Sequence, residues 1–295
     1  MTPHSLVAPD AQLETLYTGT LWGEGPVWLP ETASLRWSDI PNDRILEFSS
    51  TTGETHVHRE GVEFTNGRTL DLDGAVLQCS HGRRSVEREI DGTPVTLVDH
   101  WEGVRLNSPN DIVVASDGGI WFTDPPYGIE QPREGHPGVR EYGGCWVFRF
   151  DEATGELTPV ITEMEGPNGL AFSPDESVLY VSDTEAPHHI LAWDISWDAG
   201  VARCANPRVV AVVSPGAPDG FRVDVDGRIW TSSGDSVQVF APTGERVERI
   251  PVPEVISNLC FGGDGHDLYI TGATSLYRIR TTTMQAPRPA ASNPR

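Results

Sequence analysis

The sequence predicts an all-β fold: a six-bladed β-propeller with four-stranded blades. Three observations predict it. An oxygen-bearing side chain stands just before a short apolar strand six times, at Glu24, Asn66, Asn110, Asn168, Asp219 and Asn258. These leading residues are separated by 42, 44, 58, 51 and 39 positions, and repeats of about 40–50 residues built of short strands are the mark of propeller blades. Thirty glycines and twenty-four prolines punctuate the strand-like runs, while long helical periodicity and strand–helix alternation are both missing.

The blades can be justified in order. Blades 1 and 2 open at Glu24 in EGPVWLPETASLRWSD and at Asn66 in NGRTLDLDGAVLQCSH, each a strand, an Asp/Gly/Pro-bearing turn and a second strand. Blade 3 opens at Asn110 and can be followed through DIVVAS, GIWFTD, CWVFRF and LTPVIT, with DEATGE turning between the last two. Blade 4 opens at Asn168 in NGLAFSPDESVLYVSD. Blade 5, opened by Asp219, is the most compact: FRVDV, RIWTS, VQVFA and RVERIPV, with APTGE as its outer turn. Blade 6 follows Asn258 with NLCF, DLYITG and SLYRIR, and then gives way to a Pro-rich tail over 283–295. It is one strand short, and an open edge invites aggregation. The segment LETLYTG before the first repeat supplies the missing strand, so the N-terminus is expected to close the ring in blade 6. The whole chain, 1–295, reads as one propeller domain.

Composition narrows the partners. Forty-three acidic against twenty-one basic residues give a formal charge of −22, which argues against nucleic acid or an anionic membrane as a partner. No run of about 18 apolar residues is present. The first residues lack a basic start followed by an apolar core, so no secretory signal is read and the cytoplasm is the expected compartment. Cys79, Cys145, Cys204 and Cys260 lie far apart with no CxxC pair, which fits reduced thiols better than a disulfide framework. Nothing in the sequence fixes an oligomeric state.

In a propeller the first strand of each blade lines the central channel, so the six leading residues converge on the axis. Asn and Asp suit turns that enter strands; Glu does not, and a ring with both a Glu and an Asp points to more than turn chemistry. Carboxylates and amide oxygens suit hard cations such as Ca²⁺, Mg²⁺ or Mn²⁺. No Cys or His occupies a leading position, which disfavours zinc or copper there. A second ring, Asp39, His81, Asp124, Asp183 and Ser233, falls one hairpin further on; these residues either face the same mouth or brace its loops, and His81 reads as a proton carrier or a hydrogen-bonded support. The irregular segment 125–144 interrupts blade 3 and is a candidate lid, with Tyr127, Arg133, Arg140 and Tyr142 able to meet a polyhydroxylated or anionic substrate. There is no GxSxG elbow and no GxGxxG or GK[ST] motif, which removes α/β-type serine hydrolases and nucleotide cofactors from consideration.

Four ordered motifs add a resemblance. GEGPVW at 23–28, RLNSPNDIVVASDGGIWFTDPPYG at 105–128, PNGLAFSPDESVLYVSDT at 167–184 and PDGFRVDVDGRIW at 218–230 resemble the gluconolactonase group, the family of senescence marker protein (regucalcin) and bacterial sugar lactonases. The resemblance spans about residues 14 to 281. It implies a six-bladed propeller, one divalent metal ion in the channel (Ca²⁺ foremost, with Mg²⁺, Mn²⁺, Fe²⁺ or Zn²⁺ as alternatives) and a small-molecule sugar lactone as substrate. By the matching motifs it implies Glu24, Asn168 and Asp219 as metal ligands and Asn110 as a residue at or beside the metal that touches substrate. Arg105 resembles a substrate-binding Arg, although the intervening NSP leaves both Arg105 and Asn107 off the family's shorter spacing. Tyr127 and His81 complete the expected substrate contacts.

The expected reaction is hydrolysis of an aldonolactone to the open-chain acid, with Asp219 taking a proton from the attacking water. Two other readings use the same scaffold: a metal-dependent phosphotriesterase, and a non-enzymatic propeller that binds Ca²⁺ or a partner.

Overall fold

The structure is a computed structural model that describes residues 5–198 and 200–289. Six four-stranded antiparallel sheets follow one another around a ring, and a two-stranded hairpin, His100–Trp101 with Val104–Arg105, projects between blades 2 and 3. The innermost strands are Gly23–Leu29, Thr65–Leu70, Ile112–Val114, Pro167–Phe172, Phe221–Val223 and Ile256–Gly262, so all six leading residues stand at or just before the start of an inner strand. The expected architecture and blade boundaries are observed.

Ring closure follows the expectation. Strand Glu14–Thr18 pairs antiparallel with Ser275–Arg280, placing Glu14 opposite Arg278 and Thr18 opposite Ser275. The order in blade 6 is therefore an N-terminal outer strand on three C-terminal ones. The edge that would otherwise offer free N–H and C=O groups is covered.

The core lies between blades rather than within them. Period-2 alternation turns one face of each sheet toward the next blade, and large side chains of the second strands fill the gaps. Trp37, Trp121 and Trp230 are buried there, with Trp230 edge-on to Phe261 and Trp121 edge-on to Phe172. Truncating any of them to Ala would cost about 3–5 kcal/mol. One seam departs from this pattern. Between blades 1 and 2 the buried apolar cluster is only Val27, Leu29 and Val76. The rest of that seam is ionic, with Glu89 of blade 2 receiving both Arg36 and Arg59 of blade 1 at 3.1 Å.

The Pro-rich tail has a definite path. The Met284 carbonyl accepts Val225 N–H at 3.0 Å and Ala286 N–H donates to Val223 O at 2.9 Å, while Arg288 reaches the Leu70 carbonyl at 2.8 Å. Leu70 and Val223 end the inner strands of blades 2 and 5. The tail thus crosses the channel mouth opposite the leading residues.

Candidate active site

Each leading residue is placed by a repeated local device. Asp39 Oδ1 accepts the backbone N–H of Leu21 and Trp22; Asp124 accepts those of Asn107 and Ser108; Asp183 accepts those of Glu165 and Gly166. In all three blades a carboxylate at the end of the second strand fixes the loop two to three residues ahead of Glu24, Asn110 or Asn168. The second ring therefore braces the loops rather than facing a substrate. Serine and threonine hydroxyls add a blade-to-blade tie: Ser38 donates to Asn66 O, Thr123 to Asn168 O and Ser182 to Asp219 O.

A feature missed in the sequence completes the device. The glycine after four leading residues packs directly on the next blade. A Cβ on Gly25 would lie 2.1 Å from Asn66 O, on Gly67 2.4 Å from Asn110 O, on Gly169 2.4 Å from Asp219 O, and on Gly220 1.9 Å from the Asn258 side chain. The EG, NG, NG and DG pairs carry this signal, but its reason is the neighbouring blade and not the local turn.

The axial carboxylates are the electrostatic centre. Glu24 is buried, Asp219 is half-buried, and their side chains are in contact. Burial, with Asp111 adding repulsion, pushes the Glu24 carboxyl up to about 7, even though Gly25 N–H and the Asn258 amide both donate to Oε2. Asp219 is pushed well above the ordinary range by burial and then by Glu24 itself. Two carboxylates held together away from water either retain a proton or need a cation.

Asn258 turns its amide nitrogen to the pair, while the other three amides engage their nitrogens elsewhere. Asn168 donates its nitrogen to Thr184 Oγ1 at 3.0 Å, which leaves the amide oxygen for a ligand. Asn66 and Asn110 both turn nitrogen toward His81 Nε2, at 3.2 and 3.5 Å, and Asn66 Oδ1 is buried without a partner. This donor set fits a hard divalent cation. Below it lie two groups the sequence did not single out: buried Asp111, raised by burial against the pull of Arg222, and Arg222 itself at 3.7 Å.

His81 is a support and not a proton carrier or a free substrate contact. It is fully buried, with Nδ1 3.0 Å from the Glu134 carbonyl and Nε2 facing the two asparagine amides. Nδ1 must donate and Nε2 must accept, which defines a neutral imidazole; burial lowers its pKa to about 4. Asn107 differs from its expected role as well. It is completely buried, and its amide nitrogen donates to Asp124 O, Tyr142 Oη and Gly144 O, so it anchors the blade 3 loop instead of facing substrate. Arg105 is engaged by the Arg83 carbonyl, and its N–H by Glu141 at 2.9 Å.

The segment 125–144 is a packed cover. It contains a short helix, Tyr127–Glu130, and is pinned by His136 to Glu63 at 2.9 Å and by Arg84 to Val139 O at 3.1 Å. Arg140 pairs with Glu130, and Tyr142 donates to Asp124. Tyr127 does face the axial site: its hydroxyl is buried without a hydrogen-bond partner among the described residues, and its pKa is raised by burial and by the Asp219 charge. Glu134, also absent from the sequence reading, is pushed up to about 7 by burial. Its charge in turn adds to the upward shift of Asp219.

A ring of six blades around paired axial acids and channel-lining amides defines a propeller with an oxygen-lined axial site. The chain belongs to the SMP-30/gluconolactonase/LRE-like family, whose model matches residues 22–274. It is 31% identical to a gluconolactonase of Zymomonas mobilis subsp. mobilis, covering 96% of this chain and 82% of that protein. It is 30% identical to the pentonolactonase XacC of Haloferax volcanii, over 85% of this chain and 81% of that one. Among solved structures, a gluconolactonase from Xanthomonas campestris superposes with a TM-score of 0.88 at 40% identity, covering 94% and 91% of the two chains.

Proposed function

We propose that this protein hydrolyses a sugar lactone to the corresponding aldonic acid at the axial site, with one divalent cation held by Glu24, Asn168 and Asp219. The observation that carries the reading is the contact between two axial carboxylates whose proton affinities are both raised. The lactonase relatives supply the substrate class.

A bound divalent ion supplies Lewis acidity to the lactone acyl group and acidifies nearby water. The residues then divide the remaining work. Asp219 takes the proton of the attacking water as its oxygen bonds to the acyl carbon. The ring C–O bond breaks, and the same proton passes to the departing ring oxygen. A carboxylate has two oxygens, so Asp219 would have one left to receive the water's proton while helping to hold the ion. Asn110, oriented by neutral His81, presents its amide oxygen to the site. The unpartnered Tyr127 hydroxyl hydrogen-bonds a substrate hydroxyl in this reading. The packed 125–144 segment limits water at that end.

The test is hydrolysis of a lactone panel beside a phosphotriester, after chelation and after re-addition of Ca²⁺, Mg²⁺, Mn²⁺, Fe²⁺ or Zn²⁺. Lactone turnover that is lost on chelation and restored by one of these ions supports the reading. Turnover indifferent to chelation, faster phosphotriester cleavage, or full activity in Asp219→Asn would overturn it.

A further inference from the structure

A second cluster of ligand-type side chains lies outside the channel, on the outer edge of blade 1. Strand Thr55–Glu60 carries His56 and His58, two apart, and pairs with Arg44–Ser49 so that Glu47 stands directly opposite His56. One carboxylate oxygen and one nitrogen from each imidazole all lie within 4.8 Å of one another. Glu47 Oε2 is already 3.4 Å from His58 Nδ1, close to the roughly 3.3 Å that separates two ligands of a tetrahedral zinc ion with bonds of about 2.0 Å.

We propose that Glu47, His56 and His58 form a site for a borderline-soft divalent ion of the Zn²⁺ class, distinct in chemistry from the all-oxygen axial site. Two neutral imidazoles and a carboxylate are the donors such ions prefer, with water completing the fourth position.

Three further observations support the assignment. The register slips between Ile45 and Leu46, where Leu46 faces Val57 and Ile45 faces Arg59, so His58 is the extra residue of a β-bulge. Bulges re-aim side chains and gather near functional sites. The His58 ring makes no hydrogen bond to the described residues, and its polar contact is the approach of Nδ1 to Glu47 at 3.4 Å, so no other partner competes for that nitrogen. Both groups are also held in their metal-binding forms. Burial, then the Arg36 charge, lowers the His58 pKa. Burial opposes ionisation of Glu47, but the hydrogen bond and charge of Arg36, 2.6 Å away, overcome it and keep the carboxylate ionised. Arg36 competes with a cation for Glu47, so the site is expected to be weaker than an isolated set of the same ligands. Its location gives it a consequence. The cluster borders the ionic seam between blades 1 and 2, and a bound ion would clip the exposed outer strand of blade 1 to its neighbour.

The test is calorimetric titration of the whole, Ca²⁺-saturated protein with Zn²⁺, comparing wild type with His56→Ala/His58→Ala. Wild type should take up one zinc more than the double variant and show a zinc-dependent rise in melting temperature that the variant lacks. Glu47→Gln should weaken that zinc about tenfold or more. Metal-free melting of the three proteins within a few degrees establishes that all are folded. Equal zinc stoichiometry in wild type and double variant, or no zinc uptake by either, would overturn the proposal. Because the readout is the difference between the two proteins, it stands whether or not the axial site hydrolyses lactones.

Discussion

Asn258 donates its side-chain amide to Glu24 Oε2 at 3.1 Å, joining two residues 234 positions apart across the junction of blade 6 and blade 1. The same Asn258 side chain rests on Gly220, where no Cβ could fit. One amide thus sets the inner ends of three consecutive blades and orients one of the two axial acids. Asn258→Ala should therefore weaken divalent-ion affinity about tenfold, measured by calorimetry, as expected when the partner that orients a metal ligand is lost.

Glu24→Gln should separate stability from function. A carboxyl raised from 4.5 to about 7 by folding keeps its native-state proton more tightly than in the unfolded chain. Its ionisation therefore costs stability as pH rises through about 7, by about 3 kcal/mol once complete. In the presence of chelator at pH 8, Glu24→Gln should melt several degrees above wild type, with the gap closing toward pH 5. Lactone turnover should fall at least a hundredfold. A lower metal-free melting temperature at pH 8 would contradict the burial penalty assigned to the Glu24 carboxylate.

His81 predicts the opposite slope. Its folded pKa, about 4, lies below the unfolded value of about 6.5, so the unfolded state binds more protons between those limits and stability falls as pH drops from about 6.5 toward 4. The loss attributable to His81 is about 3 kcal/mol at pH 4. In His81→Gln this part of the profile should flatten relative to wild type, as followed by denaturant unfolding at several pH values. The comparison with wild type isolates it from the rising contribution of the axial acids.

How far the sequence carried the fold depends on how local each cause is. Blade number, strand order and closure by LETLYTG were legible because period-2 patterns, turns and a missing strand are read along the chain. The pair Glu24 and Asp219 stood out as two acids among amides. Asn107 and His81 were assigned to substrate because their true partners lie elsewhere in the chain: Tyr142, 35 residues on, for Asn107 and the Glu134 carbonyl, 53 residues on, for His81. Asp111 and Arg222 were invisible for the same reason, since each is unremarkable until two blades bring them together.

Asn107→Ala supplies the direct test of that reassignment. Losing three buried hydrogen bonds and the anchor of the blade 3 loop should cost about 2–3 kcal/mol, seen as a lower melting temperature. A substrate contact would instead raise KM with no change in melting.

Removing residues 1–20 should lower the melting temperature by at least about 10 °C and promote aggregation, because strand Ser275–Arg280 would become an open edge. Light scattering during thermal unfolding would report both effects. A truncated protein that melts like the full chain would mean that the closure contributes nothing.

The pairing of Glu14–Thr18 with Ser275–Arg280 also sets a timetable for synthesis. A chain made from its amino end presents strand 14–18 before the blades, but the partner emerges only after five blades have been made. Until then five blades stand as an open arc, with an unpaired flank at each end and Glu24 lacking Asn258. The axial site is therefore completed only with the last blade, and a ribosome that stalls in blade 6 leaves five finished blades that cannot assemble it.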